Sequence, residues 1–534
     1  MKYRVLALSL LLGSSTVFAQ FPPQIKNIVV IFQENRTPDN LFHFLTPACP
    51  LTPNGTGLKA CIPPKVTSTC YDISPCGVSN QTGTVTKVTL KPLPMAGSPD
   101  PSHSHFGFEA QCDRDPSTLK CRNDGTWKTS VPAGASYGYV QNTAVTNSDG
   151  SKGHLLDPYL TLAKQYGWAN FMYQTNQGPS YPAHLYIFGG TSALTAADDA
   201  KSTFLAENLV EKTNGFGCLA PGDATGYLIS PVQGTPDKDC RVFADGSIQE
   251  CPIANTALLY PTEAVGTYCN SHKTMADVLD SHAISWKYYT PSASSFWTAP
   301  NAVQSICQPA FVDPSGNPSS PLKCTGKEWM ANVDTKNYGT DILRDIASCS
   351  LSKVNWVIPN GEWSDHAGSD DYYGPSWVAA VINALGNNPK CAAGTKDAGQ
   401  TYWQNTAIVV TWDDWGGWSD NQPPPFLSAL PCTSANCQGD YQLGFRVPLL
   451  VVSAYTPAGY INNVAHDFGS ILRMIEGVNH LTEGQLGFAD KRATSDLQLF
   501  FSLKQPRVYR TIPAQKDASF FLGSAHAAVD PDDD

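Results

Sequence analysis

The stretch from Asn405 to Pro425, NTAIVVTWDDWGGWSDNQPPP, constrains this chain most strongly. Its β-branched apolar run, Ala407 to Thr411, reads as a strand buried on both faces, which requires a sheet covered on both sides. The run delivers two adjacent carboxylates, Asp413 and Asp414, into a turn made by Gly416 and Gly417. Alone, such a pair reads better as a solvated Asp-Asp turn. A second strand of the same build, Lys26 to Phe32 (KNIVVIF), ends on Gln33, Glu34 and Asn35. Open α/β sheets bind ligands beyond the carboxyl ends of their strands. Two carboxylate-bearing strand ends from opposite ends of the chain therefore predict one shared, oxygen-rich site.

Elements between these two strands alternate in α/β fashion. Leu155, Leu156, Tyr159, Leu160 and Leu162 fall on one face of a helix that ends near Gly167, and Pro182 suits the first turn of a helix through Leu185 and Ile187. Helices are also expected at Met275–Leu279, Ile342–Ser348 and Ser376–Leu385, with strands at Ile284–Tyr289, Val354–Ile358 and Arg446–Val452. His466 and Asp467 open a last helix that runs to Glu476. Two segments break the pattern, Thr46 to about Val131 and Lys201 to Tyr268; both are loop-rich and carry or border several cysteines. The expectation is a three-layer α/β fold with a mainly parallel sheet, forming one catalytic domain over residues 20–534 with insertions at about 46–131 and 201–268.

The formal charge of −11 and the lack of a basic run argue against nucleic acid or an anionic membrane surface as a standing partner. Lys2 and Arg4, the apolar stretch Val5 to Leu12 and the Val17-Phe18-Ala19 boundary predict a signal peptide over residues 1–19. That apolar stretch is too short to span a bilayer, so no stable membrane insertion is expected and the mature chain reads as secreted or periplasmic. An even count of 16 cysteines suits an oxidising compartment. Spacing favours Cys112 with Cys121, Cys307 with Cys324, and Cys432 with Cys437.

Four polar residues stand out in addition to the strand ends. Ser180 follows Gly178-Pro179 at a helix start, where N–H groups and the helix dipole favour an anion such as phosphate; by itself it reads better as a plain N-cap. His103 and His105 lie in the first insertion, and His366 lies in a loop after Trp363. Taken singly, such histidines are more often surface or structural than catalytic.

Several blocks together resemble the bacterial phosphoesterase family that contains the non-haemolytic phospholipases C and an acid phosphatase type, within the alkaline-phosphatase-like superfamily. They are IVVIFQENRTPDNLF (Ile28–Phe42), GPSYPAHLYIFGGT (Gly178–Thr191), SDHAG with GPSWVAAVINALG (Ser364–Gly386), the Asn405–Pro425 stretch and LGFRVPLLVVSAYTPAGYI (Leu443–Ile461). HDFGSILRMIE (His466–Glu476) and LGFADKRATSDLQLFF follow in the family's order. The resemblance implies Glu34, Asn35, Asp413 and Asp414 as metal ligands, Ser180 as the nucleophile, and His103 and His366 as contacts to the transferring phosphoryl group or its leaving oxygen. The chain departs from the family at Ser419-Asp420-Asn421, where Tyr-Asp-His is common, and at Ala183-His184, where Asn-Arg is usual. The C-terminal β-rich domains and twin-arginine signal of the larger phospholipases C are not found, which points to the phosphatase branch.

Chemistry agrees in kind. Phosphate esters repel nucleophiles, so their hydrolysis calls for a cation that neutralises the oxygens. The expected all-oxygen set favours Ca, Mg or Mn and admits Zn. The function expected is a secreted, metal-dependent phosphoric ester hydrolase working through a phosphoseryl intermediate, an acid-phosphatase-like monoesterase, with a small phosphate ester or a phospholipid headgroup as partner. A phospholipase C-type diesterase is the alternative, and an inactive binding protein of the same fold is a further one. No Cys-x-Pro-x-Arg is present in the Ser180 block, which argues against a sulfatase.

Overall fold

The computed structural model describes residues 21–115, 118, 120–129, 134–200, 202, 204–208, 216–219, 228–229, 269–311, 322–368, 372–427 and 441–523. Its centre is an eight-stranded sheet. In chain order the strands are β1 (Asn27–Gln33), β2 (Gly167–Ala169), β3 (Trp286–Tyr289), β4 (Val333–Asp334), β5 (Val354–Val357), β6 (Thr406–Trp412), β7 (Leu449–Val452) and β8 (Tyr460–Asn462). Across the sheet they run β4-β3-β5-β1-β6-β7-β2-β8. Every neighbouring pair is parallel except the two pairs that β7 makes with β6 and β2, so β7 alone is reversed.

The two long strands anticipated from sequence lie side by side at the middle. Ile28 to Phe32 are all fully buried, and burial of such side chains contributes roughly 1.5–3 kcal/mol each. A one-residue slip would turn every side chain of the strand to the opposite face. The register is thereby fixed with Gln33 opposite Trp412, and the next residues of both strands, Glu34 and Asp413, emerge together.

Helices cover both faces. On one side α1 (Asp157–Gln165) packs against α3 (Gly374–Asn387); on the other α2 (Ser180–Gly189) packs against α4 (Phe468–Val478). The three layers agree with the fold class read from sequence. The expected strand at Arg446–Val452 begins later, at Leu449: Pro448 lacks an N–H for the ladder, and the Arg446 guanidinium is bound by Asp72 and Asp420. Strands β2, β4 and β8 were not expected, since two or three residues carry no readable period.

Six disulfides are present among the described residues: Cys49–Cys70, Cys61–Cys76, Cys112–Cys121, Cys218–Cys269, Cys307–Cys324 and Cys349–Cys391. Two of the three pairings expected from spacing are among them, and they fit an oxidising, extracytoplasmic compartment. Cys432 and Cys437, the signal-peptide residues and most of the 201–268 insertion lie outside the described residues. No helix among the described residues is long and apolar enough to cross a membrane.

Candidate phosphoryl-transfer site

The site is built where β1 and β6 end. The Asp413 N–H donates to the Gln33 carbonyl at 2.9 Å, carrying the parallel ladder one residue past the strands. Asn35 then turns with φ at 58°, a left-handed conformation that Asn tolerates better than most residues, and its N–H donates to Asp413 Oδ1 at 2.9 Å. Gly416 lies directly against this turn: a Cβ there would come within 2.8 Å of the Asn35 carbonyl carbon and Cβ, and its own φ is 60°. Glycine is what lets the two strand ends close on each other.

Ser180 is the first residue of α2, and the preceding Pro179 occupies the cap position. The Ser180 hydroxyl faces Glu34 Oε2 at 3.3 Å and Asp414 Oδ2 at 3.4 Å. Asp414 is held by the Gly416 N–H, which donates to Oδ1 at 2.6 Å. All of these side chains are fully buried.

Two histidines approach from the other side. The Asn35 amide Nδ2 lies 3.1 Å from His103 Nε2 and 2.9 Å from His366 Nε2. Each ring turns its Nδ1 to a backbone carbonyl, Pro101 at 3.0 Å and Ala367 at 2.5 Å. The pattern assigns the proton to Nδ1 and leaves a lone pair on each Nε2, with the Asn35 amide donating to both. His105 is not part of this arrangement; its Nδ1 is bonded to the Gln177 carbonyl at 2.6 Å.

Sequence reasoning did not place His184 in the site. It lies one helical turn beyond Ser180 on the same face of α2, with Nε2 3.3 Å from Glu34 Oε1. Ligand atoms of Glu34, His184 and Asp413 all fall within 4.8 Å of one another. Burial against Phe32 and Trp297 pushes the His184 imidazole down to about 4, so at neutral pH it is a lone-pair donor and not the cationic half of an ion pair. The i, i+4 spacing from Ser180 was the signal available in the sequence.

Whether these residues suit a cation is answered by their unmet bonds. Asp413 Oδ2 and Asn35 Oδ1 are buried without a hydrogen-bond partner, a costly state unless something else is bound. Oxygen donors clustered with an imidazole are what a divalent ion takes, so the donor set fits a metal.

Two other positions left open by the sequence fall elsewhere. Asn421 bonds Asp39 and Asp72 in a buried network around Arg446, which also binds Asp420. His466 bonds Ser495 at 2.5 Å beside the start of α4. Behind His366, the Asp365 carboxyl accepts from Tyr159 at 2.6 Å and Trp412 at 3.1 Å, and burial pushes it up to about 6.

Several known proteins are similar to this chain. The non-hemolytic phospholipase C of Pseudomonas aeruginosa is 25% identical over 255 residues, 44% of this chain and 33% of that protein. The enzyme of the same description from Burkholderia pseudomallei is 27% identical over 230 residues, 38% and 31% of the two chains. The matched region thus spans about a third of those relatives' length. Among solved structures, a protein of the alkaline phosphatase superfamily from Vibrio parahaemolyticus aligns over 62% of both chains at 10% identity, with a TM-score of 0.29. The profile of the phosphoesterase family matches residues 25–482, by far the larger part of the sequence, and the chain belongs to that family.

Proposed function

We propose that this protein hydrolyses phosphoric esters through Ser180, and that its substrates are diesters of the phospholipid-headgroup kind. The observation that carries the reading is the buried Ser180 hydroxyl, 3.3 Å from Glu34 and 3.4 Å from Asp414. In this reading residues 20–534 act as one catalytic domain, and the Thr46–Val131 insertion brings His103 to the site.

Glu34, Asn35, His184, Asp413 and Asp414 would hold a divalent metal. When bound, it supplies positive charge that neutralises the phosphoryl oxygens and lowers the cost of a negatively charged attacker. The remaining work belongs to the chain's own groups. Ser180 loses its proton to the facing carboxylate of Asp414 or Glu34 as Oγ bonds to phosphorus, and the bond from phosphorus to the leaving oxygen breaks. For His103 or His366 to act, its Nε2 gives up the Asn35 bond and carries a proton taken up from water; that imidazolium then gives the leaving oxygen its proton, a contribution typically of about 10²–10⁴-fold. Water then attacks phosphorus, giving a proton to the now neutral imidazole, and as the bond from phosphorus to Ser180 Oγ breaks the carboxylate returns its proton to Oγ. The Asn35 amide lies between the two imidazoles and orients both.

The sequence reading placed a monoesterase first. Relatives described as phospholipases C support the diesterase better. Charge supports it too: a diester brings one negative charge to a carboxylate-rich site where a monoester brings up to two. The nearest arginine in sequence, Arg36, is engaged with the Asp365 and Met95 carbonyls and with Asn40.

The test is turnover of p-nitrophenylphosphorylcholine beside p-nitrophenyl phosphate, with and without chelator. The diesterase reading expects the first to be the better substrate and both rates to collapse on metal removal. Preference for the monoester would restore the phosphatase reading, and no hydrolysis of either would leave an inactive member of the fold.

A further inference from the structure

The segment Phe204 to Asn208 runs beside the site, outside every motif discussed above. We infer that Glu207 and Asn208 are positioning residues that join the nucleophile helix to the His103 loop; the inference rests on Ser180 and His103 acting as proposed.

The bonds are specific. Asn208 Oδ1 accepts from the Tyr181 N–H at 3.0 Å, in the first turn of α2 and next to Ser180. Its neighbour Glu207 accepts, through Oε1, from the His105 N–H at 2.8 Å, at the start of the helix His105–Cys112 and two residues after His103. Adjacent residues therefore bind the N-terminal ends of the two helices that set Ser180 and His103. A third tie closes the triangle, because the His105 ring reaches the Gln177 carbonyl just before the Gly178-Pro179 turn. The backbone is just as close: a Cβ on Gly178 would come within 2.9 Å of the Ala206 carbonyl carbon, so only glycine admits the segment there.

The segment is fastened independently at its other end. Leu205 N–H donates to the Ser192 carbonyl at 3.2 Å, and the Ser192 hydroxyl returns a bond to the Leu205 carbonyl at 2.8 Å. Phe204 packs against Tyr186 and Tyr441. Anchored beyond the C-terminal end of α2 and bonded to its N-terminal end, residues 204–208 act as a strut. Such a strut matters only as far as attack and proton donation depend on geometry, and a misplacement of 1 Å can lower a rate by about 10²-fold.

The test uses the full chain and whichever p-nitrophenyl ester the wild type turns over. Asn208→Ala and Glu207→Ala are expected to lower kcat by about 10- to 100-fold, with KM and metal affinity within about twofold of wild type. Asn208→Asp and Glu207→Gln keep the oxygen acceptor and are expected to stay within about threefold of wild-type kcat. If the alanine variants fail to fold, Asn208→Gln and Glu207→Asp move the acceptor by one methylene and are expected to lower kcat by about tenfold at unchanged KM. Wild-type kcat in the alanine or displaced-acceptor variants would overturn the inference, as would acceptor-retaining variants that fall as far as the alanine ones. A wild type that turns over no phosphoric ester would instead refute the functional reading itself.

Discussion

Replacing Gly416 by alanine tests the closure of β1 on β6 without removing any polar group from the site. The new Cβ would sit 2.8 Å from both the carbonyl carbon and the Cβ of Asn35, and closer still to its carbonyl oxygen. Comfortable carbon–carbon contact begins near ~3.5 Å, so Asn35 would have to retreat by about 0.7 Å. Asn35 is the residue whose amide meets His103 and His366 and whose N–H meets Asp413. A displacement of that size is expected to lower kcat by about 10- to 100-fold. The left-handed backbone at Gly416 adds a folding cost of roughly 1–2 kcal/mol for any residue with a Cβ. The assay is steady-state hydrolysis beside a denaturant melt. A variant that loses only stability, with wild-type kcat in its folded fraction, would refute the argument that Asn35 must be held this closely.

Asp413→Asn removes a charged ligand, so its activity should fall by orders of magnitude and recover partly as metal concentration is raised; no recovery at any concentration would place Asp413 outside metal binding. His184→Ala should weaken Zn or Mn binding, measured by calorimetry, far more than Ca binding, because imidazole nitrogen is a poor partner for hard Ca; equal losses for all three would remove His184 from the ligand set. Burial pushes the Glu207 carboxyl up to about 7 from 4.5, so protonation favours the folded state. The stability this contributes is complete below pH 4.5 and is lost as pH rises through about 7, by a total of about 3 kcal/mol. Wild type should therefore lose stability relative to Glu207→Gln across that window in pH-dependent denaturant melts; parallel curves would show that Glu207 titrates normally.

How far the sequence disclosed the site depends on how local each signal is. β1 and β6 were legible because continuous β-branched runs can only be buried strands, and the carboxylates at their ends follow directly. Their adjacency follows from fold class but not from either strand alone. Ser180 was ambiguous between cap and nucleophile, since a hydroxyl at a helix start satisfies both descriptions. In the structure Pro179 occupies the cap position and the Ser180 hydroxyl faces Glu34 and Asp414, an arrangement that the proposed nucleophile role requires and that no spacing reports. His184 was readable in principle, one turn beyond Ser180, but in isolation a histidine on an apolar helix is an ordinary core residue. Glu207 and Asn208 could not be found: they lie in a cysteine-bordered insertion without periodicity, and their role arises from contacts with residues about 100 and 27 positions away. Short β2, β4 and β8 were invisible for a similar reason, because long-range pairing makes them strands.

Acid quenching during turnover, followed by peptide mapping, addresses the central claim most directly. If Ser180 is the nucleophile, a phosphoryl group will be found on the peptide carrying Ser180, its amount will follow substrate saturation, and Ser180→Ala will show neither the modification nor turnover while still binding metal. An enzyme that turns over with no covalent phosphate, and a Ser180→Ala variant that hydrolyses the same ester at a near-wild-type rate, would contradict the account and leave water as the direct attacker.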